Sequence, residues 1–358
     1  MNYAQRQGRA RARMETERLD ALLVSHLPNI RYLTGFSGSN GLLLLRPGQA
    51  DLFTDGRYRE QAGHEVMAAR VRVPPKGDLW KAAARLAAKA KRVGFEADHV
   101  TVTQRANWLR HWAGQATGFK PIQGCIEALR ATKEPEEISA IRRAVVLASS
   151  VFENVVKQMR PGMAETEAAG RLEFALRQAG GEGLAFDTIL AGGPRGARVH
   201  GRPGPNPLPA RGFVVVDYGV TLAGYASDMT RTLHLGRAGA REREVYRTVL
   251  AAQQAAIEAV RVGAAAAAVD RAARRVIQAA GFGQAFAHST GHGVGLEIHE
   301  APRLAATSRD ILEAGQVITI EPGIYLPGWG GVRIEDVVVV REDGADVLTP
   351  TDKTLWEI

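Results

Sequence analysis

The 358-residue chain has one cysteine, Cys125, which excludes an internal disulfide. It also has no long hydrophobic run. The nearest candidate, "GLLLLRPG", is far short of the roughly 20 apolar residues that span a bilayer. The first stretch, "MNYAQRQGRARARMETERLD", lacks the apolar core of a secretory signal. Low-complexity sequence is confined to an alanine run at 264–268 that reads as ordinary helix. These absences make a cytoplasmic protein with no membrane partner the expectation. What is present, 45% hydrophobic and 23% charged residues, describes a globular chain long enough for two domains.

Positive charge is in excess, at +8 with a pI near 9.8, which raises the question of anionic partners. Arg6, Arg9, Arg11 and Arg13 form a basic N-terminal stretch, and residues 1–13 read as a flexible arm. The other cations are scattered along helical patterns such as "RAARRVIQAAG". A solvated surface with no specific nucleic-acid partner is expected.

The chain divides near 126–134. Before it, residues 1–125 alternate short apolar runs with Gly, Pro and Asp turns, the pattern of a small α/β domain. The residues 126–134 read as a linker, and 135–358 as an α+β domain of catalytic size. Pro135 opens a long helical period with Glu136 and Glu137 in its first turn, where carboxylates favour the helix dipole, and "RPG" at 160–162 ends it. Further helices are expected at about 165–179, 240–261 and 265–280. Between them, "GFVVVDYGVTLAGYASDMTRTLHLG" reads as a β-hairpin turning at 222–224.

Four carboxylates stand at the apolar ends of strands: Asp217 in "FVVVD", Asp228 in "YASDMTRT", Glu321 in "VITIEPGIY" and Glu335 in "GVRIEDVVVV". A hairpin could hold Asp217 and Asp228 opposite each other. Buried like charges at that range are costly unless a cation lies between them, so the pair either faces solvent or binds metal. The same choice recurs for Glu321 and Glu335. With His292 from "GHGVGLEIHE" the set becomes Asp, Asp, His, Glu, Glu. Hard oxygen ligands in the majority suit two divalent ions, Mn²⁺ first, with Co²⁺ or Zn²⁺ also compatible. Two such cations about 3.5–4 Å apart turn a water into a nucleophile near neutral pH, so hydrolysis is the expected chemistry. Arg333 and Glu335, two apart on an expected strand, face one side, so the guanidinium could orient the carboxylate. The glycines at 291–295 are expected to let backbone pass close to a crowded metal centre.

"VVDYG", "SDMTRT", "HSTGHGVGLEIHE", "EPGIY" and "GVRIED", in this order and spacing, resemble the pita-bread metallopeptidases, most closely prolidase and aminopeptidase P. The resemblance extends to the first part through "PNIRYLTGFSGSNG" and "LFTDGRYREQA", which are similar to that family's creatinase-like N-terminal domain. It implies Asp217 on one metal, Asp228 and Glu335 bridging both, and His292 with Glu321 completing the other. It implies His200, His288 and His299 as catalytic histidines that hold substrate and stabilise the tetrahedral intermediate, with Glu321 and Arg333 in the catalytic set. Tyr325 and Arg333 would flank the substrate beside His200 and His299. Val199 stands where these enzymes often carry Pro, which bears on the aim of His200. Glu297 and Glu300 read as flanking polar groups.

The implied activity is cleavage between a peptide's first residue and a following proline, by a homodimeric dipeptidase or aminopeptidase acting on small peptides. A methionine aminopeptidase and a non-catalytic binding module of the same fold are the alternatives. The full N-terminal domain counts against the first, and the five intact ligand positions against the second. Arg31, Arg46 and Arg57 are the cations considered for gripping a dipeptide carboxylate.

Overall fold

The computed structural model describes residues 1–75, 77–112 and 118–358, which fold as two compact units, Met1–Arg130 and Ala131–Ile358. The first unit is built on a six-stranded mixed sheet. Its spatial order is Arg70–Arg72, Gln49–Phe53, Leu42–Arg46, Ala21–Val24, Arg92–Glu96 and Gly118–Ile122. The central strands are apolar on both faces because helices cover them, as Leu22, Leu23, Leu43 and Leu44 show by their complete or near-complete burial. Trp80 stacks on Trp108 at 3.7 Å over one face.

The expected flexible arm is a helix, Tyr3–Thr16, with Arg6, Gln7, Ala10 and Met14 buried. The reason lies in the next helix, Leu27–Thr34, whose last carbonyls have no intrahelical donor. The Arg6 guanidinium donates to Tyr32 O at 3.1 Å and the Gln7 amide to Leu33 O at 3.1 Å. A cation at that end also suits the helix dipole. Arg9 and Arg11 donate to Tyr32 Oη and Arg46 O. Much of the basic stretch is therefore internal structure. Part of the expected linker, Glu127–Ala131, is likewise helical.

The second unit repeats one plan. The helices Pro135–Val155 and Glu165–Gln178 pack on a sheet ordered Trp356–Glu357, Met229–Leu235, Gly212–Tyr218, Ile189–Gly192. The helices Ala240–Glu258 and Ala266–Ala279 pack on a second sheet ordered Glu300–Leu304, Gly291–Gly293, Val317–Ile320, Asp336–Arg341, Gly344–Val347. Pro135 takes the first helical position, and Glu137 reaches back to the Glu134 amide at 3.0 Å to close a capping box. No helix among the described residues is long and apolar enough to cross a membrane.

Side-chain alternation in the first sheet decides what faces where. Val214, Val216 and Tyr218 enter the core under the two helices, as do Met229, Leu233 and Leu235 of the partner strand. Asp217, Thr230 and Thr232 are thereby turned to the other face. The antiparallel register sets Asp217 directly opposite Thr230, two positions from Asp228. In the second sheet Ile320 pairs with Asp336, so the next step of the same register brings Glu321 opposite Glu335. The two-residue period thus delivers two carboxylates from each half of the unit.

Candidate metal centre

Asp217, Asp228, His292, Glu321 and Glu335 all line one cavity of about 660 Å³, together with His200, His288, His299 and Arg333. Ligand atoms of Asp228, His292 and Glu335 lie within 4.8 Å of one another. His292 Nε2 is 3.6 Å from Asp228 Oδ2 and 3.5 Å from Glu321 Oε1. The tautomer follows from the other ring nitrogen. His292 Nδ1 lies 3.0 Å from Gly293 O, and a carbonyl only accepts, so Nδ1 carries the proton and Nε2 presents a bare lone pair to the two carboxylates. Burial pushes the His292 pKa down to about 4, which keeps the ring neutral as a metal ligand must be.

The carboxylates are crowded enough to shift one another. Asp228 and Glu335 are raised well above the ordinary carboxylate range, first by burial and then by the neighbouring negative charges; Glu321 is raised by burial. Asp217 Oδ1 is buried with no hydrogen-bond partner. An orphaned carboxylate oxygen, a bare imidazole nitrogen and three further carboxylates facing one space form a donor set that fits divalent cations.

Arg333 is a buried cation lining this cavity, and its partner differs from the sequence expectation. Its guanidinium pairs with Asp217 Oδ2 at 2.5 Å rather than with Glu335. Arg333 ends its strand, Gly330–Arg333, and the chain leaves strand geometry before Glu335, so the two side chains diverge. The link to Glu335 runs through a residue the sequence did not single out: Arg333 Nε donates to Thr230 Oγ1 at 3.0 Å, and that hydroxyl donates to Glu335 Oε2 at 2.7 Å. Another Arg333 nitrogen donates to Tyr325 Oη at 2.7 Å and to Val199 O at 3.2 Å.

His288 is wired rather than free. Nδ1 lies 2.8 Å from Ser289 O, so Nε2 is the acceptor for the Tyr325 hydroxyl at 2.9 Å. Burial and then the Arg333 charge push its pKa down to about 4. Among the described residues, the rings of His200 and His299 make no hydrogen bond to the chain, and both lie exposed in the cavity wall. They are the pocket's available imidazoles.

The glycines of 291–295 serve packing against the chain itself. A Cβ on Gly291 would strike Thr319 O of the adjacent strand, and one on Gly293 would strike Ala301 O. Glu300 is no flanking group: it is held 3.1 Å from the buried Lys133 ammonium. Arg46 and Arg57 in the first unit are engaged by Asp51 and Asp55. An exposed cation that lines the cavity beside the buried Arg333 is Arg303, on the strand Glu300–Leu304. Its signal in the sequence was the alternation after His299, with Pro302 and Leu304 buried and Arg303 outward.

The profile of metallopeptidase family M24 matches residues 139–342, and that of the creatinase/prolidase N-terminal domain matches residues 6–132. The chain belongs to metallopeptidase family M24. A Pyrococcus furiosus Xaa-Pro dipeptidase is 35% identical over 343 residues, covering 96% of this chain and 97% of the relative. The structure of an Xaa-Pro dipeptidase from Bacillus anthracis superposes with a TM-score of 0.96 at 34% identity, covering 100% of both chains. An X-Pro aminopeptidase from Thermotoga maritima does so with a TM-score of 0.90 at 33% identity, covering 96% of this chain and 100% of that one. An N-terminal creatinase-like domain followed by a pita-bread catalytic domain is therefore the architecture of this M24 peptidase. Family membership implies divalent metal ions, and the carboxylate–imidazole cluster is where this chain has donors for them.

Proposed function

We propose that this M24 peptidase hydrolyses the bond between an N-terminal residue and a following proline, with two divalent ions held by Asp217, Asp228, His292, Glu321 and Glu335. The observation that carries the reading is the convergence of these five donors, one with an orphaned oxygen, on a single cavity. When bound, the ions supply Lewis acidity and a water nucleophile near neutral pH. Mn²⁺ is the proposed metal. Asp228 and Glu335, the most enclosed of the carboxylates, are the proposed bridges, with Asp217 on one ion and His292 with Glu321 on the other.

Hydrolysis adds a hydroxyl to the carbonyl carbon and a proton to the prolyl nitrogen, which has no N–H of its own in the substrate. Glu321 is the side chain suited to moving that proton. At 16% side-chain exposure it is more open to the cavity than Asp217 or Asp228, at 10% and 6%. His299, whose ring centre lies 4.3 Å from that of His292 and whose ring makes no hydrogen bond among the described residues, would donate to the developing oxyanion. His200 faces the same space. His288 acts through Tyr325, which Arg333 also holds.

Phe186, Ile189, Ala287 and Ile298 give the cavity an apolar wall that suits a prolyl ring, and Arg303 adds a cation at its edge. That cation would accept the C-terminal carboxylate of a dipeptide, so we infer dipeptidase rather than aminopeptidase selectivity. The test is turnover of an Xaa-Pro dipeptide against an Xaa-Pro-Yaa tripeptide, with Mn²⁺ and after chelation. Turnover of both that persists in metal-free protein would overturn the metal reading, and a strong preference for the tripeptide would overturn the dipeptidase reading.

A further inference from the structure

Glu165, the first residue of the helix Glu165–Gln178, is completely buried and lies outside the cavity wall. Its Oε1 accepts from the Gly192 amide at 3.0 Å and from Arg195 Nε at 3.0 Å. Its Oε2 accepts from the Gly204 amide at 3.0 Å and from the Asn206 side chain at 3.5 Å. Arg195 spans the loop from within by donating to Arg202 O at 2.8 Å. The backbone amides of Glu165 and Thr166, orphans of the helix's first turn, donate to Asn206 O and Gly204 O. One carboxylate thus draws together residues 192 and 204 and closes the chain between them into a loop. His200 stands on that loop.

The segment needs such a clasp. "GGPRGARVHGRPG" has glycine at 192, 193, 196, 201 and 204, so its backbone loses much freedom when it is fixed. The far side is held by Arg333, which donates to Val199 O, the carbonyl just before His200. Gly331 lets the loop lie close, since a Cβ there would strike Gly196 O. A carboxylate at a helix N-terminus is also favoured by the helix dipole.

We infer that Glu165 and Arg195 are positioning residues for catalysis: the buried carboxylate and its half-buried arginine set the aim of His200 into the cavity. This rests on the reading of His200 as a substrate-facing group, and the test separates the two. Glu165→Gln keeps the side-chain volume but replaces one acceptor oxygen with a donor, so one end of the clasp is lost. A misplaced contact group can cost up to about 100-fold in rate, so kcat on an Xaa-Pro dipeptide should fall about 10- to 100-fold, with bound metal unchanged. Placed in a His200→Ala background, the same substitution should change kcat less than about twofold, because the group it aims is gone. Arg195→Lys, which keeps the charge but not the fork, should fall between wild type and Glu165→Gln, and it carries the same comparison if Glu165→Gln does not fold.

Equal losses from Glu165→Gln in the presence and absence of His200 would mean a merely structural role and overturn the inference. So would wild-type kcat in Glu165→Gln when His200→Ala is impaired. Wild-type kcat in His200→Ala would overturn the reading of His200 itself, and the clasp's catalytic role with it.

Discussion

Arg231→Met should destabilise the second unit and weaken metal binding together. Arg231 and Asp336 are completely buried and paired at 2.8 Å. The guanidinium also donates to Thr230 O, Glu335 O, Thr351 O and Asp352 O. Removing one partner of a buried ion pair costs about 3–5 kcal/mol, since the other charge is left desolvated. Asp336 would keep Gln253 at 2.8 Å and Lys353 at 2.7 Å, which favours the lower end for the charge itself. Against that, four carbonyls lose a donor, a loss already contained in the cost of breaking a buried pair, so the whole range of about 3–5 kcal/mol is kept. For a unit of this size 1 kcal/mol moves Tm by about 2–4 °C, giving an expected drop of about 6–20 °C. Because Arg231 grips the carbonyl of Glu335 itself, metal affinity should fall about 10- to 100-fold, as is usual for supports of a ligand. Thermal melts followed by circular dichroism and a metal titration read the two effects. Arg243→Met, which breaks the part-exposed pair with Glu357, is the control and should shift Tm far less, because solvent screens that pair. A Tm for Arg231→Met within that control's shift, at unchanged metal affinity, would refute the reasoning.

Chelation should abolish peptidase activity and lower Tm, with added Mn²⁺ restoring both; full activity after verified metal removal is the contrary result. Asp228→Ala or Glu335→Ala should lose metal along with activity, whereas His299→Ala should keep its metal and lose about 100- to 1000-fold in kcat. Metal analysis of the purified variants discriminates these. Arg303→Ala should raise KM for an Xaa-Pro dipeptide while leaving an Xaa-Pro-Yaa tripeptide nearly unchanged, and equal effects on both would exclude a carboxylate contact. Deleting residues 1–13 should lower the stability of the first unit, because Arg6 and Gln7 leave the Tyr32 and Leu33 carbonyls. Protein without them should still show no tight nucleic-acid binding at about 150 mM salt.

What the sequence made legible follows from how local each signal is. Strand alternation is a two-residue rule, so the inward turn of Asp217 away from Val214 and Val216 can be read without any partner strand. The helix that starts at Pro135 declares itself in four residues, from Glu134 to Glu137. Ion pairs between residues far apart in the chain announce nothing of the kind. Spacing along the chain sets Arg333 against Glu335, two positions on, yet its carboxylate is Asp217, 116 positions away, and only the meeting of two strands from different halves of the unit makes that pair. Thr230 was invisible for the same reason, since a threonine in "SDMTRT" gains its role only when Glu335 arrives beside it. Nothing local singles out Glu165 or Asp336, and Glu300 reads as a flanking polar group, yet each is buried or nearly so against a cation supplied from elsewhere. The basic N-terminal stretch misled in the opposite direction: its charge suggested an outward arm, whereas the carbonyls at the end of Leu27–Thr34 drew Arg6 inward. The four carboxylates could be gathered from the sequence because each stands at or beside the end of a strand, whereas His292 lies in the middle of Gly291–Gly293 and was drawn in by its glycine-rich stretch. The residues that aim them became visible only once the strands had been brought together, which is why the strongest experimental handles are those distant pairs.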